Sequence, residues 1–236
     1  MPERILVVED EKTIAELIAE ALKRRGYRVE AVHDGDGGLY AVETTLPDLV
    51  ILDVMLPGMD GWEVCRRIRE NPATKGIPVL MLTARRDERD LLAGFDVGAD
   101  DYMKKPFSVN ELAARVKSLL RRRSPGETDE KVIVIGPLAV DTEKGEALLK
   151  GSILDLTATE FLLLEVLASS RGSVVSRDTL LARVWGYSAA DTRTVDMHVF
   201  RLRRKIEEDP ENPKLLQTVR GRGFRLQEEG AADENS

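Results

Sequence analysis

The feature that most constrains the fold is a regular alternation in the first 120 residues. Five short apolar runs are each followed by a segment with the apolar spacing of a helix, and the runs are RILVV, YRVEAV, DLVILD, IPVLML and DDYMKK. The helical segments begin near Glu11, Gly35, Gly61, Arg86 and Val109. Parallel strands need crossover connections, and helices supply them. The alternation therefore predicts a five-stranded, doubly wound parallel sheet with helices on both faces.

The rest of the chain has a different pattern. A polar segment, RRRSPGETDEK, ends the alternation and reads as a linker. Short strands separated by glycine turns follow, then three helical segments and two closing strands, which predicts an α+β domain. We expect a first domain over 1–121, a linker over 122–131, a second domain over 132–227, and a disordered acidic tail over 228–236.

Composition excludes several classes of protein. No uncharged apolar stretch approaches the roughly 18 residues of a membrane span, and the N-terminus lacks the features of a secretory signal. Cys65 is the only cysteine, which suits a reducing cytoplasm. The net charge of −7 is unevenly distributed: residues 1–120 carry 17 basic and 22 acidic residues, whereas 171–227 carry 12 basic and 7 acidic. The second domain therefore has a local basic surface.

Polar residues follow the predicted parallel strands at their carboxyl ends. Glu9 and Asp10 follow the first strand, Asp53 ends the third, Thr83 ends the fourth, and Lys105 follows the fifth. Ligands bind at this edge of open parallel sheets. Clustered carboxylates are tolerated when a divalent cation neutralises them, and oxygen ligands favour Mg²⁺. A carboxylate beside a metal, a hydroxyl and an ammonium can act as a nucleophile toward phosphorus, and Asp53 is the candidate because its strand is the most apolar.

The motifs VVEDE, LDVMLPGMDGWE, MLTA and GADDYMKKPFSVNEL resemble the receiver domain of two-component response regulators, a flavodoxin-like fold. The resemblance implies that Asp53 accepts a phosphoryl group from a sensor histidine kinase. It further implies that Lys105 contacts the phosphoryl oxygens, that the Lys105–Pro106 peptide bond is cis, and that Thr83 and Tyr102 form a switch pair. The implied Mg²⁺ ligands are the carboxylates of Glu9, Asp10 and Asp53 and the backbone carbonyl of Met55.

The last helical segment has one apolar stripe and one basic arc. Val195, Val199, Leu202 and Ile206 lie within about 40° of one another at 100° per residue, so we predict that they are buried. The predicted opposite arc consists of Arg193, Met197, Phe200, Arg201 and Arg204, flanked by Arg203. Arginines on an exposed helix can reach phosphates and base edges in a major groove.

The segment from LTATEFLLLEVL to LQTVRGRGFRL resembles the winged-helix effector domain of the OmpR/PhoB family. The resemblance makes 192–207 the recognition helix and 216–227 the wing. The DNA-binding residues predicted from the helical arc and the resemblance are Arg193, His198, Arg201, Arg203, Arg204, Arg220 and Arg222. Phe200 departs from family members that have a basic residue at that position.

The resemblance also implies a homodimer through the face formed by the fourth helix, fifth strand and fifth helix of the receiver. The implied interface residues are Leu91, Asp96, Asp100, Asp101, Glu111, Arg115 and Arg122. Leu91 departs from the family, since many members have a basic residue there that would meet Glu111.

These features predict a DNA-binding transcriptional regulator of a two-component phosphorelay, not an enzyme, that dimerises on phosphorylation and binds tandem promoter half-sites. The expected partners are a sensor histidine kinase, promoter DNA and a second copy of the chain, with RNA polymerase as a further candidate. One alternative is a constitutive DNA-binding regulator that uses its receiver only for dimerisation. Another is a Mg²⁺-dependent phosphatase, which usually needs a second acid where this chain has Met55.

Overall fold

The computed structural model describes residues 2–83, 97–120, 132–186 and 193–227. The chain divides into two compact units, Met1–Arg121 and Arg122–Ser236, and each is described by itself.

The first unit contains a five-stranded parallel sheet with the strand order β2-β1-β3-β4-β5. The strands are β1 (Arg4–Val8), β2 (Arg28–Val32), β3 (Leu49–Asp53), β4 (Val79–Thr83) and β5 (Asp101–Lys104). The helices that the structure describes in this unit are α1 (Lys12–Lys23), α2 (Gly35–Thr45), α3 (Gly61–Glu70) and α4 (Val109–Leu120). The predicted helix near Arg86 lies outside the described residues.

The central strand β3 is buried along its whole length, as expected for a strand covered by helices on both faces. Residues of β1, β3, β4, α1 and α4 form one apolar core, in which Ile5, Ile18, Leu49 and Leu80 are almost completely buried. Burial of side chains of this size stabilises the fold by about 1.5–3 kcal/mol each. The core therefore fixes where β3 ends, and with it the position of Asp53.

Side-chain caps begin two of these helices at the predicted places. Asp34 accepts a hydrogen bond from the Gly37 backbone N–H at the start of α2. Asp60 does the same for the Glu63 N–H at the start of α3. Such caps satisfy N–H groups that have no partner inside the helix.

The second unit begins with an antiparallel sheet in the order β6-β7-β8-β9, formed by Val132–Ile135, Leu138–Asp141, Glu146–Leu149 and Ser152–Ile153. Helices α5 (Ala158–Ser169), α6 (Arg177–Leu180) and α7 (Arg193–Ile206) follow, and a π-helical segment, Leu181–Trp185, continues α6. Strands β10 (Leu216–Val219) and β11 (Gly223–Leu226) close the unit as an antiparallel hairpin.

A capping box begins helix α5. Thr157 accepts from the Glu160 N–H, and the Glu160 carboxylate accepts from the Thr157 N–H. The predicted stripe of α7 (Val195, Val199, Leu202 and Ile206) is buried in one core with α5, the α6 region and the hairpin.

The predicted fold class is confirmed: a doubly wound parallel α/β domain is followed by an α+β domain of the winged-helix type. The predicted linker and acidic tail lie outside the described residues. Among the helices in the described ranges, none combines the length and apolarity needed to cross a lipid bilayer.

Candidate functional site

The carboxyl ends of β1 and β3 bring three carboxylates together. One carboxylate oxygen from each of Glu9, Asp10 and Asp53 lies within 4.8 Å of the others. Glu9 and Asp53 are buried, whereas Asp10 is exposed. Adjacent strands of a parallel sheet end at the same edge, which is why residues distant in sequence meet here.

Lys105 neutralises part of this cluster. Its Nζ donates to Asp53 Oδ2 at 2.7 Å and to Glu9 Oε1 at 2.8 Å. The Lys105 backbone N–H donates to the Thr83 carbonyl at 2.8 Å, and the peptide bond to Pro106 is cis, as the resemblance implies. The ammonium is thus held between the two buried carboxylates.

The second oxygen of Asp53 is also oriented. Asp53 Oδ1 accepts a hydrogen bond from the Met55 backbone N–H at 3.1 Å. The Met55 side chain is half exposed at the mouth of the site. Asp53 therefore presents a fixed carboxylate, with one oxygen toward the ammonium and the other toward the loop after β3.

Proton affinities in the site are shifted by burial and by neighbouring charges. Burial raises the pKa of Glu9 to about 7; the Asp53 charge adds to this effect and the hydrogen bond from Lys105 opposes it. Burial lowers the pKa of Lys105, but its hydrogen bonds to Asp53 and Glu9 outweigh that effect and raise it. Lys105 therefore stays cationic near neutral pH, while Glu9 titrates there.

The predicted switch residues lie on neighbouring strands, β4 and β5. Thr83 ends β4 and is buried. Tyr102, on β5, is buried as well, and its ring centroid lies 6.1 Å from that of Trp62 on α3. Neither the family motifs nor the periodicity singled out Trp62, because its contact is with a residue forty positions away.

Gly61 is a residue of the site whose role the sequence analysis missed. A Cβ atom at position 61 would lie 1.9 Å from the Asp53 carbonyl oxygen. Any larger residue would push the start of α3 away from the end of β3. The sequence signal was present, since a glycine directly after the capping Asp60 marks a close backbone approach.

In α7 the structure corrects the expected exposure of several residues, while their contacts with DNA stay a prediction. His198 is completely buried: its Nδ1 lies 2.9 Å from the Thr194 carbonyl oxygen, and its ring meets the Trp185 ring edge-on at 5.0 Å. Met197 and Arg201 are also buried, each at 6 % exposure. The helical wheel shows only how far each residue lies from the apolar stripe. It does not show which neighbouring elements cover the residues on either side of that stripe.

Arg203, which flanks the predicted arc, is only partly exposed and is bonded within the second unit. Its Nε donates to the Leu216 carbonyl at 2.9 Å and its Nη2 donates to Thr218 Oγ1 at 2.7 Å, so its guanidinium is bound to strand β10. The predicted DNA-binding residues that are exposed within the described chain are Arg193, Arg204, Arg220 and Arg222.

The predicted dimer residues in the described ranges form contacts within the chain. Asp100 Oδ2 accepts from Arg69 Nη2 at 2.6 Å and from the Val79 N–H at 2.9 Å. Arg115 binds Asp101 and Glu111, with N–O distances of 2.8 Å to each. Their roles in a dimer remain predictions, and any pairing between subunits competes with these intrachain bonds. The other three predicted residues, Leu91, Asp96 and Arg122, lie outside the described residues.

Comparison with known proteins agrees with both halves of the structure. Residues 5–117 match the family described as response regulator receiver domain, and residues 151–226 match the family described as transcriptional regulatory protein, C terminal. The chain is 46 % identical to the alkaline phosphatase synthesis transcriptional regulatory protein PhoP of Bacillus subtilis, across 97 % of this chain and 98 % of that one.

Two further proteins extend the comparison. The DNA-binding response regulator MtrA of Mycolicibacterium smegmatis is 45 % identical, with 95 % of this chain and 97 % of that protein covered. The crystal structure of response regulator DrrB, a Thermotoga maritima OmpR/PhoB homologue, matches at a TM-score of 0.51 and 36 % identity, and covers 96 % of this chain and all of that one. With its acidic strand ends and its winged-helix unit, the chain belongs to the two-component response regulators that carry a DNA-binding effector domain of the OmpR/PhoB type.

Proposed function

We propose that Asp53 accepts a phosphoryl group from a sensor histidine kinase and that this event controls binding of the second unit to promoter DNA. The observation that carries the proposal is the position of Lys105 Nζ, 2.7 Å from Asp53 Oδ2 at the end of the central strand. An ammonium there lies where negative charge accumulates when a phosphoryl group joins Asp53.

The proposed chemistry is a transfer between two nucleophiles. An Asp53 carboxylate oxygen attacks the phosphorus of a phosphohistidine; the new O–P bond forms as the N–P bond breaks, and the imidazole nitrogen leaves with the electron pair. Lys105 holds the Asp53 carboxylate in position before the transfer, and then donates to the phosphoryl oxygens.

Glu9, Asp10, Asp53 and the backbone carbonyl of Met55 are the proposed Mg²⁺ ligands. The donor set is all oxygen and includes an exposed carboxylate, Asp10, which suits a hard cation that retains several waters. When bound, the ion supplies neutralisation of the clustered carboxylates and of the charge on the phosphoryl group.

The proposed output is a population shift in the receiver. Phosphorylation favours a state in which Thr83 and Tyr102 rearrange and two receivers pair by twofold symmetry. The pairing raises the local concentration of two effector domains and so favours tandem half-sites. The four exposed arginines of α7 and the hairpin tip provide the phosphate-binding charge. The cytoplasm is the proposed location, and RNA polymerase is a candidate partner at the promoter.

Labelling with a small-molecule phosphodonor and Mg²⁺ tests the acceptor. The wild type should gain the mass of one phosphoryl group, and Asp53→Asn should not. Asp60→Asn is the matched control, because an exposed aspartate seven residues away is replaced by an equally good helix cap. Labelling of Asp53→Asn, or loss of labelling in Asp60→Asn, would contradict the assignment.

DNA binding distinguishes this proposal from a constitutive regulator. The phosphorylated wild type should bind a site selected from random DNA more tightly than Asp53→Asn does. It should bind there as a dimer on two half-sites. Equal affinity and equal stoichiometry would favour a receiver that serves only for constitutive dimerisation. Turnover of p-nitrophenyl phosphate by the wild type, abolished in Asp53→Asn, would instead favour the phosphatase alternative.

A further inference from the structure

Three elements of the second unit meet at the ring of Phe224 on β11. The Phe224 backbone pairs with Val175, directly before α6, through N–O distances of 2.8 and 3.0 Å. The Arg177 guanidinium lies 4.5 Å from the centroid of the ring, and the Arg203 guanidinium lies 6.0 Å from it. Residues from α6, α7 and the hairpin thus contact one buried aromatic side chain.

Arg203 links α7 to the opposite strand of the hairpin. Its two hydrogen bonds reach the carbonyl of Leu216 and the hydroxyl of Thr218, both on β10. Burial lowers the pKa of Arg203, and the charges of Glu207 and Asp196 oppose that shift. The planar guanidinium donates to two acceptors in a fixed fork and can stack on a ring, whereas an ammonium is a point charge without that planar geometry.

Arg177 ties α6 to α7 in the same cluster. Its Nε and Nη2 donate to Asp196 Oδ1 at 2.9 and 2.7 Å, which forms a forked ion pair with the first turn of α7. Asp196 is 45 % exposed on a helix that carries the basic surface. Without Arg177, the negative charge of Asp196 would lie uncompensated on the surface proposed to bind the DNA polyanion.

The hairpin has little freedom to shift at this point. A Cβ atom at position 223 would lie 2.0 Å from the Val175 carbonyl oxygen, and Gly223 has φ +143°. The close approach holds β11 against the segment before α6. The clamp formed by Arg177, Arg203 and Phe224 therefore acts on a hairpin whose backbone is already attached at Val175.

We propose that this clamp sets the position of the wing relative to the recognition helix, and that Arg203 is a positioning residue for DNA binding rather than a phosphate ligand. The inference rests on the proposed use of α7 and the hairpin tip as the DNA surface. The exposed arginines on the two elements can contact one half-site together only at a fixed spacing, which the clamp provides.

The test compares Arg203→Lys and Arg203→Met with Arg204→Met, measuring affinity of the full-length protein for a selected DNA site across salt concentrations. Both Arg203 variants should lose about tenfold in affinity with an unchanged salt slope, since each loses the forked hydrogen bonds. Arg204→Met, an exposed control on the next residue, should lower the slope of log K against log salt by about 1.

A phosphate ligand would behave differently. Arg203→Lys would then bind like the wild type, and Arg203→Met would lower the salt slope as Arg204→Met does; that result would overturn the proposal. Unchanged binding in Arg204→Met and in the double variant Arg220→Ala/Arg222→Ala would instead show that the proposed DNA surface is wrong.

A double-mutant cycle gives a second readout. In the Arg220→Ala/Arg222→Ala background, where the hairpin tip no longer contributes, Arg203→Lys should have little further effect. Additive losses would show that Arg203 contacts DNA by itself. Thr218→Val removes one acceptor of Arg203 at an exposed strand position, so it tests the same contact if an Arg203 variant fails to fold. It should weaken DNA binding about threefold and leave the salt slope unchanged. Unchanged affinity in Thr218→Val, in place of that loss, would also contradict the proposal.

Discussion

Lys205 on α7 places its Nζ 2.6 Å from Oε2 of Glu160 in the first turn of α5. Glu160 is 1 % exposed and also completes the capping box with Thr157, so one carboxylate both caps α5 and anchors α7 to it. Lys205 donates in addition to the Asp155 carbonyl at 2.7 Å. Loss of the Glu160 side chain would remove one of the two hydrogen bonds of the capping box and leave the Lys205 ammonium with weaker compensation.

We expect Glu160→Ala to lower the free energy of unfolding of the second unit by about 3 kcal/mol. Glu160→Gln should cost less, because glutamine retains the capping box and removes only the charge. The control is Glu208→Gln, which breaks an exposed pair with Lys150 and should change stability by less than about 1 kcal/mol. Denaturant unfolding measures all three, and equal effects at the two positions would show that burial of the Glu160 pair is unimportant.

Asp100 is predicted to stabilise the receiver in the single chain, whatever its role in a dimer. It accepts from Arg69 and from the Val79 N–H, and both its side chain and that of Arg69 are largely buried. Asp100→Ala should therefore destabilise the unphosphorylated monomer by about 2–4 kcal/mol. Asp100→Asn keeps an acceptor for both donors and should cost less. A variant that loses phosphorylation-dependent dimerisation at unchanged monomer stability would contradict this assignment.

The raised pKa of Glu9 predicts a specific dependence of stability on pH. With a pKa of about 7 in the folded protein and 4.5 as its ordinary value, Glu9 holds more proton in the folded state between these values. Its contribution to stability is complete below pH 4.5 and is lost as the pH rises through about 7. In the absence of divalent cations, the wild type should therefore lose stability over this interval.

Glu9→Gln tests this dependence, because glutamine resembles the protonated acid. The variant and the wild type should have similar stability at pH 5, and the variant should be more stable at pH 8 by roughly 1–3 kcal/mol. Glu16→Gln, an exposed change of the same charge on α1, should leave the shape of the wild-type curve unaltered. Parallel curves for Glu9→Gln and the wild type from pH 5 to 8 would exclude Glu9 as the source of the slope.

The fold and the acidic site were predictable because short-range patterns determine them. An apolar run such as Leu49–Leu52 favours a buried strand, and the carboxyl ends of parallel strands share one edge, which places Glu9, Asp53 and Lys105 near one another. These inferences needed the period of the pattern and the direction of the strands, and no knowledge of particular side-chain contacts.

The accessibility of individual residues on α7 was not predictable in the same way. Periodicity places His198 at the edge of the apolar stripe, but only the packing of Trp185 decides that it is buried. The bonds of Arg203 could not be predicted from the sequence, because its partners lie thirteen and fifteen residues away on the hairpin. The pairing of Asp100 with Arg69 likewise joins residues 31 positions apart. Such partners follow from the assembled fold rather than from local sequence.

Mg²⁺ binding should separate the exposed and the buried members of the acidic cluster. Loss of a residue that only supports a metal ligand weakens binding by roughly 10–100-fold. Asp10→Asn removes a proposed ligand itself, so it should weaken Mg²⁺ binding by at least as much. Its melting temperature without metal should stay near that of the wild type, since Asp10 is exposed. Asp53→Asn should weaken Mg²⁺ binding and also change the metal-free stability, because Asp53 is buried and bonded to Lys105.

Calorimetric titration with Mg²⁺ and thermal unfolding without it provide both readouts. Glu11→Gln is the control: it removes an exposed negative charge next to Asp10 but is not a member of the carboxylate trio. If Asp10→Asn and Glu11→Gln weaken binding equally, the effect is one of general charge and Asp10 is not a ligand. A large loss in Asp10→Asn alone requires direct coordination, since the two substitutions change the local field by the same unit charge.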